Sequence, residues 1–441
     1  MREVLPLEAH AELGLSPVRR PALELLRAQD ATRLVDLVPV RYGRMMADPF
    51  AFFRGAAAVM ASDLGAAPRT AATVQLCGDA HIANFGLFYA PDRRLVFDAN
   101  DFDETLPGPF EWDVKRLATS CVLAVRGAGG TGKQCRSAVR AALDAYHTVI
   151  NAASAMTPLD LWYLRLDYDE VAPPLEAAKR NRKLVEKARL RAGQHTSLGA
   201  LAKLTEVVDG QRVIRSRPPL VVRLPPDDLA HARSRLDALV DHYVGTLLPN
   251  RRSLLRRYRF ADVARKVVGV GSVGTRCLVV LLLADDDQPL FLQMKEAGPS
   301  VLEAHLGPSE QPQAGQRVVT GQEEIQAASD VFLGWARYDK GDGSTTDYYF
   351  RQLWDGKYSP SLHAMAPDQL EAYSRLCGAA LARAHARSGH PSTIAGYLGD
   401  GSVFTDAVVA YAMAYAAVSE ADYGELLAAI GRGDVEATPG V

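Results

Sequence analysis

The stretch Leu76-Cys-Gly-Asp79-Ala-His81-Ile-Ala-Asn84-Phe-Gly86 puts a carboxylate, an imidazole and an amide in one short loop. A carboxylate held beside a hydroxyl can orient it and take its proton. An amide oxygen at a fixed distance can ligate a hard cation. Gly78, just before Asp79, permits close backbone approach. The same residues would also suit a plain Asx-rich turn after a buried strand. The acids just downstream decide between the two. In Asp98-x-x-Asp101-Phe-Asp103-Glu104 the crowded carboxylates repel one another unless they are solvated or bound to a cation. An oxygen-only set favours Mg²⁺ or Mn²⁺ over zinc. The candidate base is therefore Asp79, and the candidate metal ligands are Asn84, Asp101 and Asp103. Asp101 is the principal ligand and Asp98 a reserve. Asp113, at the start of the next helix, is suited to brace the loop.

A second set lies about 200 residues downstream. Gly269-Val-Gly271-Ser272-Val-Gly274 is followed by Thr275-Arg-Cys-Leu-Val-Val-Leu-Leu-Leu, a strand rather than the helix that a dinucleotide-binding loop opens. That makes a glycine-rich β-hairpin, the form that lies over ATP phosphates. Lys295 ends the next apolar strand and is the natural partner for the α- and β-phosphates. A lysine there needs a carboxylate to hold it. Glu303 is the first choice, with Glu323 and Glu324 on the following helix as alternatives. Phe350-Arg-Gln352-Leu-Trp354 would be the strand and connector touching adenine. Gly269, Gly271, Ser272, Gly274, Lys295, Glu303 and Gln352 are thus the expected nucleotide contacts, and ATP with Mg²⁺ the expected cofactors. Arg41, Arg44 and Arg54 are either surface charge or a phosphate-facing cluster. The basic runs Lys179–Lys183 and Lys187–Arg191 are either a solvated helix face or a wall that recruits an anionic substrate.

These residues need elements to hold them. A short helix is expected around Pro21–Leu37, and another within Tyr42–Leu64, where Phe50, Phe53, Ala57, Met60 and Leu64 recur at helical spacing. Thr73–Leu76 reads as a strand. Phe85–Tyr89 and Leu95–Phe97 read as a hairpin, and Leu106-Pro-Gly-Pro as a rigid turn. Trp112–Val125 and Thr131–Ala153 read as helices. Residues 155–226 are charge-rich and helical in their first half, and Pro218, Pro219, Pro225 and Pro226 mark a boundary. Asp227–Leu248 is helical again. Val263–Val268, Cys277–Leu283, Leu290–Met294 and Asp347–Leu353 read as strands. Gly315–Trp335, Pro367–Ser388 and Ser402–Ile430 read as helices.

Composition sets outer bounds. The chain has 441 residues, is 48% hydrophobic and carries a formal charge of −2. It can bury a large core, and it lacks the basic excess of a nucleic-acid binder. The five cysteines are scattered without a CxxC pair, which fits a reducing compartment and no structural zinc. No apolar leader opens the sequence, and no uncharged apolar run approaches the roughly 20 residues that span a bilayer. A cytoplasmic protein without membrane or nucleic-acid partners is expected.

Gly78-Asp79-x-His81-x-x-Asn84, Asp101-Phe102 and Trp112-Asp113 resemble the aminoglycoside phosphotransferase and choline kinase branch of the protein-kinase-like superfamily. Cys77 stands where that branch usually has His. The whole pattern, including Phe53-Arg-Gly55 and the glycine-rich segment, is also similar to the DUF2252 family of uncharacterised bacterial proteins. Leu376-Cys-Gly-Ala-Ala-Leu381-Ala-Arg-Ala-His385 is similar to the helix end that precedes the catalytic loop in such kinases, yet it comes last here. The resemblance therefore implies an α+β, two-lobed, kinase-like fold in circularly permuted order. Residues 1–154 would carry the catalytic loop and metal site, and 155–259 would be a helical insert forming the acceptor region. Residues 260–360 would be the β-rich nucleotide lobe, and 361–441 would complete the helical lobe. The implied activity is transfer of the γ-phosphoryl group of Mg-ATP to a hydroxyl of a small-molecule acceptor. The alternatives are a nucleotidyl-transferring or non-catalytic ATP-binding protein, and a metal-dependent phosphoesterase using Asp79, His81, Asp98 and Asp101.

Overall fold

Thr73–Leu76 forms β1 and leads straight into the Asp79 loop. Phe85–Tyr89 (β2) and Leu95–Ala99 (β3) make the expected antiparallel hairpin, which returns the chain to the acids at 101–104. Leu106–Pro109 is not a free turn but a strand, β4, paired with β1 so that Leu76 lies opposite Leu106. Prolines fit there because the pair has only two strands, so a missing N–H need not break a ladder. The architecture is that of a computed structural model describing residues 4–176, 179, 181–224, 239–340, 342–353 and 355–440.

The main sheet has six antiparallel strands. After the hairpin β5 (Thr205–Val208) and β6 (Gln211–Ile214) come β7 (Val221–Arg223), β8 (Arg259–Lys266), β9 (Cys277–Leu283), β10 (Pro289–Ala297), β11 (Gly334–Asp339) and β12 (Thr345–Gln352). Their order across the sheet is β11-β12-β10-β9-β8-β7. The edge strand β7 comes from the insert, so the sheet begins upstream of the expected boundary at residue 260. Helix Ala314–Ile325 sits between β10 and β11 in the chain and packs on β11 and β12. Gly315 permits this approach, since a Cβ there would lie 2.2 Å from the Tyr348 carbonyl oxygen. That helix is shorter than its apolar pattern suggests, and Trp335 belongs to β11.

The helical part is built from both ends of the chain. Glu111–Gly127, Gly132–Ser154, Pro367–Ser388 and Ser402–Gly431 share one apolar core with Phe50, Phe53, Met60 and the Asp79 loop's own Ala80 and Ile82. Thr131 opens the second of these helices with a capping box to Gln134. Gly378 lets Pro367–Ser388 lie against Gly132–Ser154, because a Cβ at 378 would meet the Ala142 carbonyl oxygen at 2.0 Å. The segment 42–64 is not one helix. It breaks into Val38–Met45, Pro49–Gly55 and Ala57–Ala66, with Asp48 capping the middle one through Ala51 N–H at 2.8 Å. Proline at the first position of that helix forbids continuity with the one before. Ser402–Gly431 is long and apolar enough to cross a membrane, but 56% of its most apolar stretch is buried inside the protein. Part of the expected 227–248 helix, and Trp354, lie outside the described residues.

Candidate active site

The Asp79 loop is held from below. Gly78 has φ +81°, and a Cβ there would meet the Glu104 carbonyl oxygen at 2.1 Å, so only glycine fits between the two acidic segments. Asp113 accepts hydrogen bonds from the Cys77 and Gly78 backbone N–H groups at 2.6 and 3.1 Å. It thus braces the loop as expected. His385 reaches up from helix Pro367–Ser388, with Nε2 3.4 Å from Asp113 and Nδ1 2.9 Å from the Tyr146 hydroxyl. Ser120 accepts from Ile82 N–H at 2.8 Å. Helix Pro367–Ser388, late in the chain, therefore supports the early Asp79 loop.

Asn84 ends a short 3₁₀ turn, Ile82–Asn84. Its Nδ2 donates to the Asp79 and Asp101 carbonyl oxygens at 3.1 and 2.9 Å. Both amide hydrogens are used, which leaves Oδ1 as the group able to take a cation. Asp101 Oδ1 is buried without a hydrogen-bond partner and lies 3.6 Å from Lys295 Nζ. Burial pushes the Asp101 carboxyl up, but Lys295, Arg351 and Lys357 outweigh it and hold the value at about 2. Asp101 and Asn84 are thus a fitting pair for Mg²⁺, which takes one or two protein ligands plus phosphate and water. No group of three or more His, Cys, Asp or Glu side chains forms a metal cage among the described residues.

Asp103 does something else. Tyr349 O–H donates to its Oδ1 at 2.8 Å, Ser272 O–H donates to Oδ2 at 3.1 Å, and Lys295 Nζ forms an ion pair with Oδ2. With both oxygens occupied, Asp103 is the lysine's anchor rather than a metal ligand. Glu303 is not that anchor. It accepts from Ser300 N–H at 2.9 Å and lies 3.6 Å from Arg317 Nε. The chain turns at Gly298-Pro299 after β10, which carries Glu303 away from the strand's lysine. On helix Ala314–Ile325 the inward charge is Arg317, which donates to the carbonyls of Thr105, Asp103 and Gly298; Glu323 and Glu324 are exposed. Gln352 is also off the site. Tyr349 and Arg351 share one face of β12, so Gln352 falls on the other, near Ser197 Oγ at 3.5 Å.

The two sets meet across a cleft of about 560 Å³. Asp79, Asn84, Asp101 and Asp103 line one side, and Gly269, Gly271 and Ser272, in the turn joining β8 to β9, line the other. Gly274 is not on the lining. It has φ +93°, and its carbonyl accepts from Leu34 N–H at 2.8 Å. Lys295 lies just behind the wall, 1% exposed. Burial disfavours its charge, but Asp101 and Asp103 outweigh this and raise its pKa above the ordinary lysine value. No residue of 155–259 lines the cleft among the described residues. The rest of its wall includes residues 28–33, 54–57 and 296–301 with Lys357 and Ser359, so no described residue of the insert or its basic runs lines this cleft.

Several site residues carried no motif. Arg116 pairs with Asp79 at 2.5 Å, is 4% exposed, and donates to the Phe53 carbonyl at 3.0 Å. A charged residue on the buried face of an amphipathic helix, three positions after Asp113, was the available signal. Burial pushes the Asp79 carboxyl up, but Arg116, His81 and Arg54 outweigh it and hold it below the usual range. Burial lowers His81 to about 4, so this ring, 3.7 Å from Asp79, is neutral. The three N-terminal arginines divide. Arg41 is fully buried on Asp30 and Gln29, Arg44 donates to the Gly269 carbonyl at 2.5 Å, and Arg54 lines the cleft. Both Asp98 oxygens accept from one nitrogen, Nη2, of buried Arg383, at 2.6 and 2.8 Å, so Asp98 is committed to that ion pair.

A family model described as "Uncharacterized protein conserved in bacteria (DUF2252)" matches residues 33–429. No curated protein and no solved structure matches the chain.

Proposed function

This chain is a member of the DUF2252 family, and we propose that it is a Mg-ATP-dependent phosphotransferase acting on a small-molecule hydroxyl. We infer that its fold is the two-lobed kinase type in circularly permuted order. The observation that carries the reading is the meeting of Lys295 with Asp101 and Asp103 across one cleft, beneath a glycine-rich turn. Those residues are about 190 positions apart in the chain, and the fold brings them together at the cleft. The order of glycine-rich hairpin, lysine strand, helix and two further strands is also the order of nucleotide-binding parts in protein kinases. The support that helix Pro367–Ser388 gives the Asp79 loop favours the permuted order.

Bound Mg-ATP would supply the phosphoryl group and the cation that offsets its developing charge. Asn84 Oδ1 and Asp101 would hold that cation. Asp103 would keep Lys295 charged and fixed against the phosphates, and Ser272 with the Gly269 and Gly271 backbone would cover them. Asp79, kept ionised by Arg116, would orient the acceptor hydroxyl and receive its proton as the bond to phosphorus forms. Such a carboxylate is a weak base, which suits a loose transition state in which the proton leaves late. The phosphoesterase alternative loses a ligand, since Asp98 is committed to Arg383.

The test is calorimetric titration with Mg-ATP and with metal-free ATP, followed by product analysis with a panel of small alcohols and sugars. Magnesium-dependent binding and ADP release that Asp79→Asn abolishes are expected. Absence of Mg-dependent nucleotide binding would sink the proposal. Release of pyrophosphate would redirect it to nucleotidyl transfer, and binding without turnover of any kind would make the protein a nucleotide sensor or scaffold.

A further inference from the structure

Helix Pro49–Gly55 belongs to neither ATP-binding set, yet it delivers Arg54 to the cleft. The other arginines near the acids are committed: Arg116 to Asp79, Arg317 to backbone carbonyls, Arg33 to the Val273 carbonyl, Arg351 to Gln293. The Arg54 guanidinium makes no hydrogen bond or ion pair among the described residues, and its buried Nε has no partner. Its ring contact is with Phe50, whose centroid lies 6.0 Å away.

An arginine left unpaired beside several carboxylates needs a reason. Two of these carboxylates are taken, since Arg116 holds Asp79 and Lys295 holds Asp103, and Arg54 bonds to none of them. The position of Arg54 is fixed from two sides. A Cβ on Gly271 would lie 3.3 Å from the Arg54 carbonyl oxygen, so the glycine-rich turn runs directly past it. Phe53, the residue before it, accepts from Arg116, the partner of Asp79. Arg54 therefore stands between the turn that would cover the phosphates and the carboxylate that would hold the acceptor. Burial disfavours its charge, which Asp79, Asp48 and Asp101 partly restore.

Resting on the phosphotransferase reading, we propose that Arg54 is an oxyanion-binding residue for the terminal phosphoryl group of the nucleotide. It would bond the oxygens that carry charge as that group passes from ADP to the acceptor. A planar guanidinium matches two phosphate oxygens at once.

The experiment compares wild type, Arg54→Gln and Arg54→Lys by calorimetry with Mg-ATP and with Mg-ADP, with thermal melts of each protein. Because the Arg54 guanidinium bonds to none of the described residues, melting temperatures should stay level. Arg54→Gln should weaken Mg-ATP by about 10- to 100-fold, the worth of one or two charge-assisted hydrogen bonds. Its effect on Mg-ADP should stay within about 3-fold, and Arg54→Lys should fall between. Unchanged Mg-ATP affinity, equal losses for both nucleotides, or a loss confined to the acceptor KM would each overturn the assignment. Failure of wild type to bind either nucleotide would instead sink the phosphotransferase reading. In that case inorganic tripolyphosphate tests Arg54 alone. It should raise the melting temperature of wild type but not of Arg54→Gln, and equal behaviour of the two would overturn the oxyanion site.

Discussion

Asp103→Asn keeps the shape of the side chain and removes its charge. The ammonium left behind belongs to Lys295, which is 1% exposed. Stranding one partner of a buried pair costs about 3–5 kcal/mol when nothing else answers the charge. Asp101 does answer it in part, from 3.6 Å, but its side chain is 43% exposed and screened by water. The amide can still accept from Tyr349 or Ser272. The expected loss is therefore about 2–4 kcal/mol, shifted to the low side of that range. With a urea m-value of about 3 kcal/mol/M, the unfolding midpoint should fall by about 1 M. Removing the stranded charge as well, in Asp103→Asn with Lys295→Met, should recover most of the loss. The pH dependence comes from the raised pKa of Lys295, where Asp101 and Asp103 outweigh burial. A raised value stabilises fully below the unfolded pKa of about 10.4 and is lost only as pH climbs through the higher folded value. The deficit of the Asp103→Asn protein should thus be constant across neutral pH and shrink as pH climbs into strong alkali. A midpoint within about 0.2 M of wild type, or no rescue by the second substitution, would refute the anchor assignment.

Asp101→Asn should behave in the opposite way. Stability should change by less than about 1 kcal/mol, while Mg-dependent ATP affinity should fall by at least about 100-fold, as for loss of a direct metal ligand. Because the Asp101 carboxyl is held at about 2, its contribution is present above the unfolded value of about 3.9 and lost as pH falls through the folded one. Urea midpoints of wild type should therefore fall more steeply than those of Asp101→Asn over that acid window. Arg116→Met tests what keeps Asp79 ionised. In wild type the rate should show no acid limb from Asp79 above about pH 4. Without Arg116, burial dominates, and the limb in the kcat profile should move toward neutral pH. A limb that stays in place would mean that Arg116 only supports the fold.

How much was legible depended on whether the information was local. Strand β9 matched its expected span because an apolar β-branched run bounded by glycines and acids has few other options. The hairpin after Asn84 and the helix Pro367–Ser388 were legible for the same reason. Leu106–Pro109 was not, since proline chemistry speaks for a turn unless the partner strand is known. The split of 42–64 was visible in Asp48-Pro49 but hidden by the helical recurrence of Phe50, Phe53 and Met60. Asp79, Asn84 and Asp101 were legible as candidates because their types and spacing stand out in the sequence, and the structure places all three on one cleft. Arg116, Tyr349 and Arg54 were not, because a lone arginine or tyrosine gains meaning only from what the fold brings to it.

The misassigned partner of Lys295 shows what decides such a case. From sequence, the acids nearest downstream compete: Glu303 on the next turn, Glu323 and Glu324 on the helix. Strand register settles the competition. Lys295 pairs with Tyr349 across β10 and β12, and Tyr349 donates to Asp103, so the lysine's neighbourhood is set by β12 and by the acidic loop facing it. With Asp103 in that place, a second acid from the helix would have no cation to meet, and the helix presents Arg317 to the loop's carbonyls instead. The consequence is mechanical as well as electrostatic. Asp103 touches the glycine-rich turn through Ser272, the lysine strand through Lys295 and its neighbour strand through Tyr349, while rising from the loop that carries Asp101. One carboxylate thereby ties the glycine-rich turn and two strands of the sheet to the loop that carries Asp101, alongside the bonds that Arg317 makes to the carbonyls of the same loop.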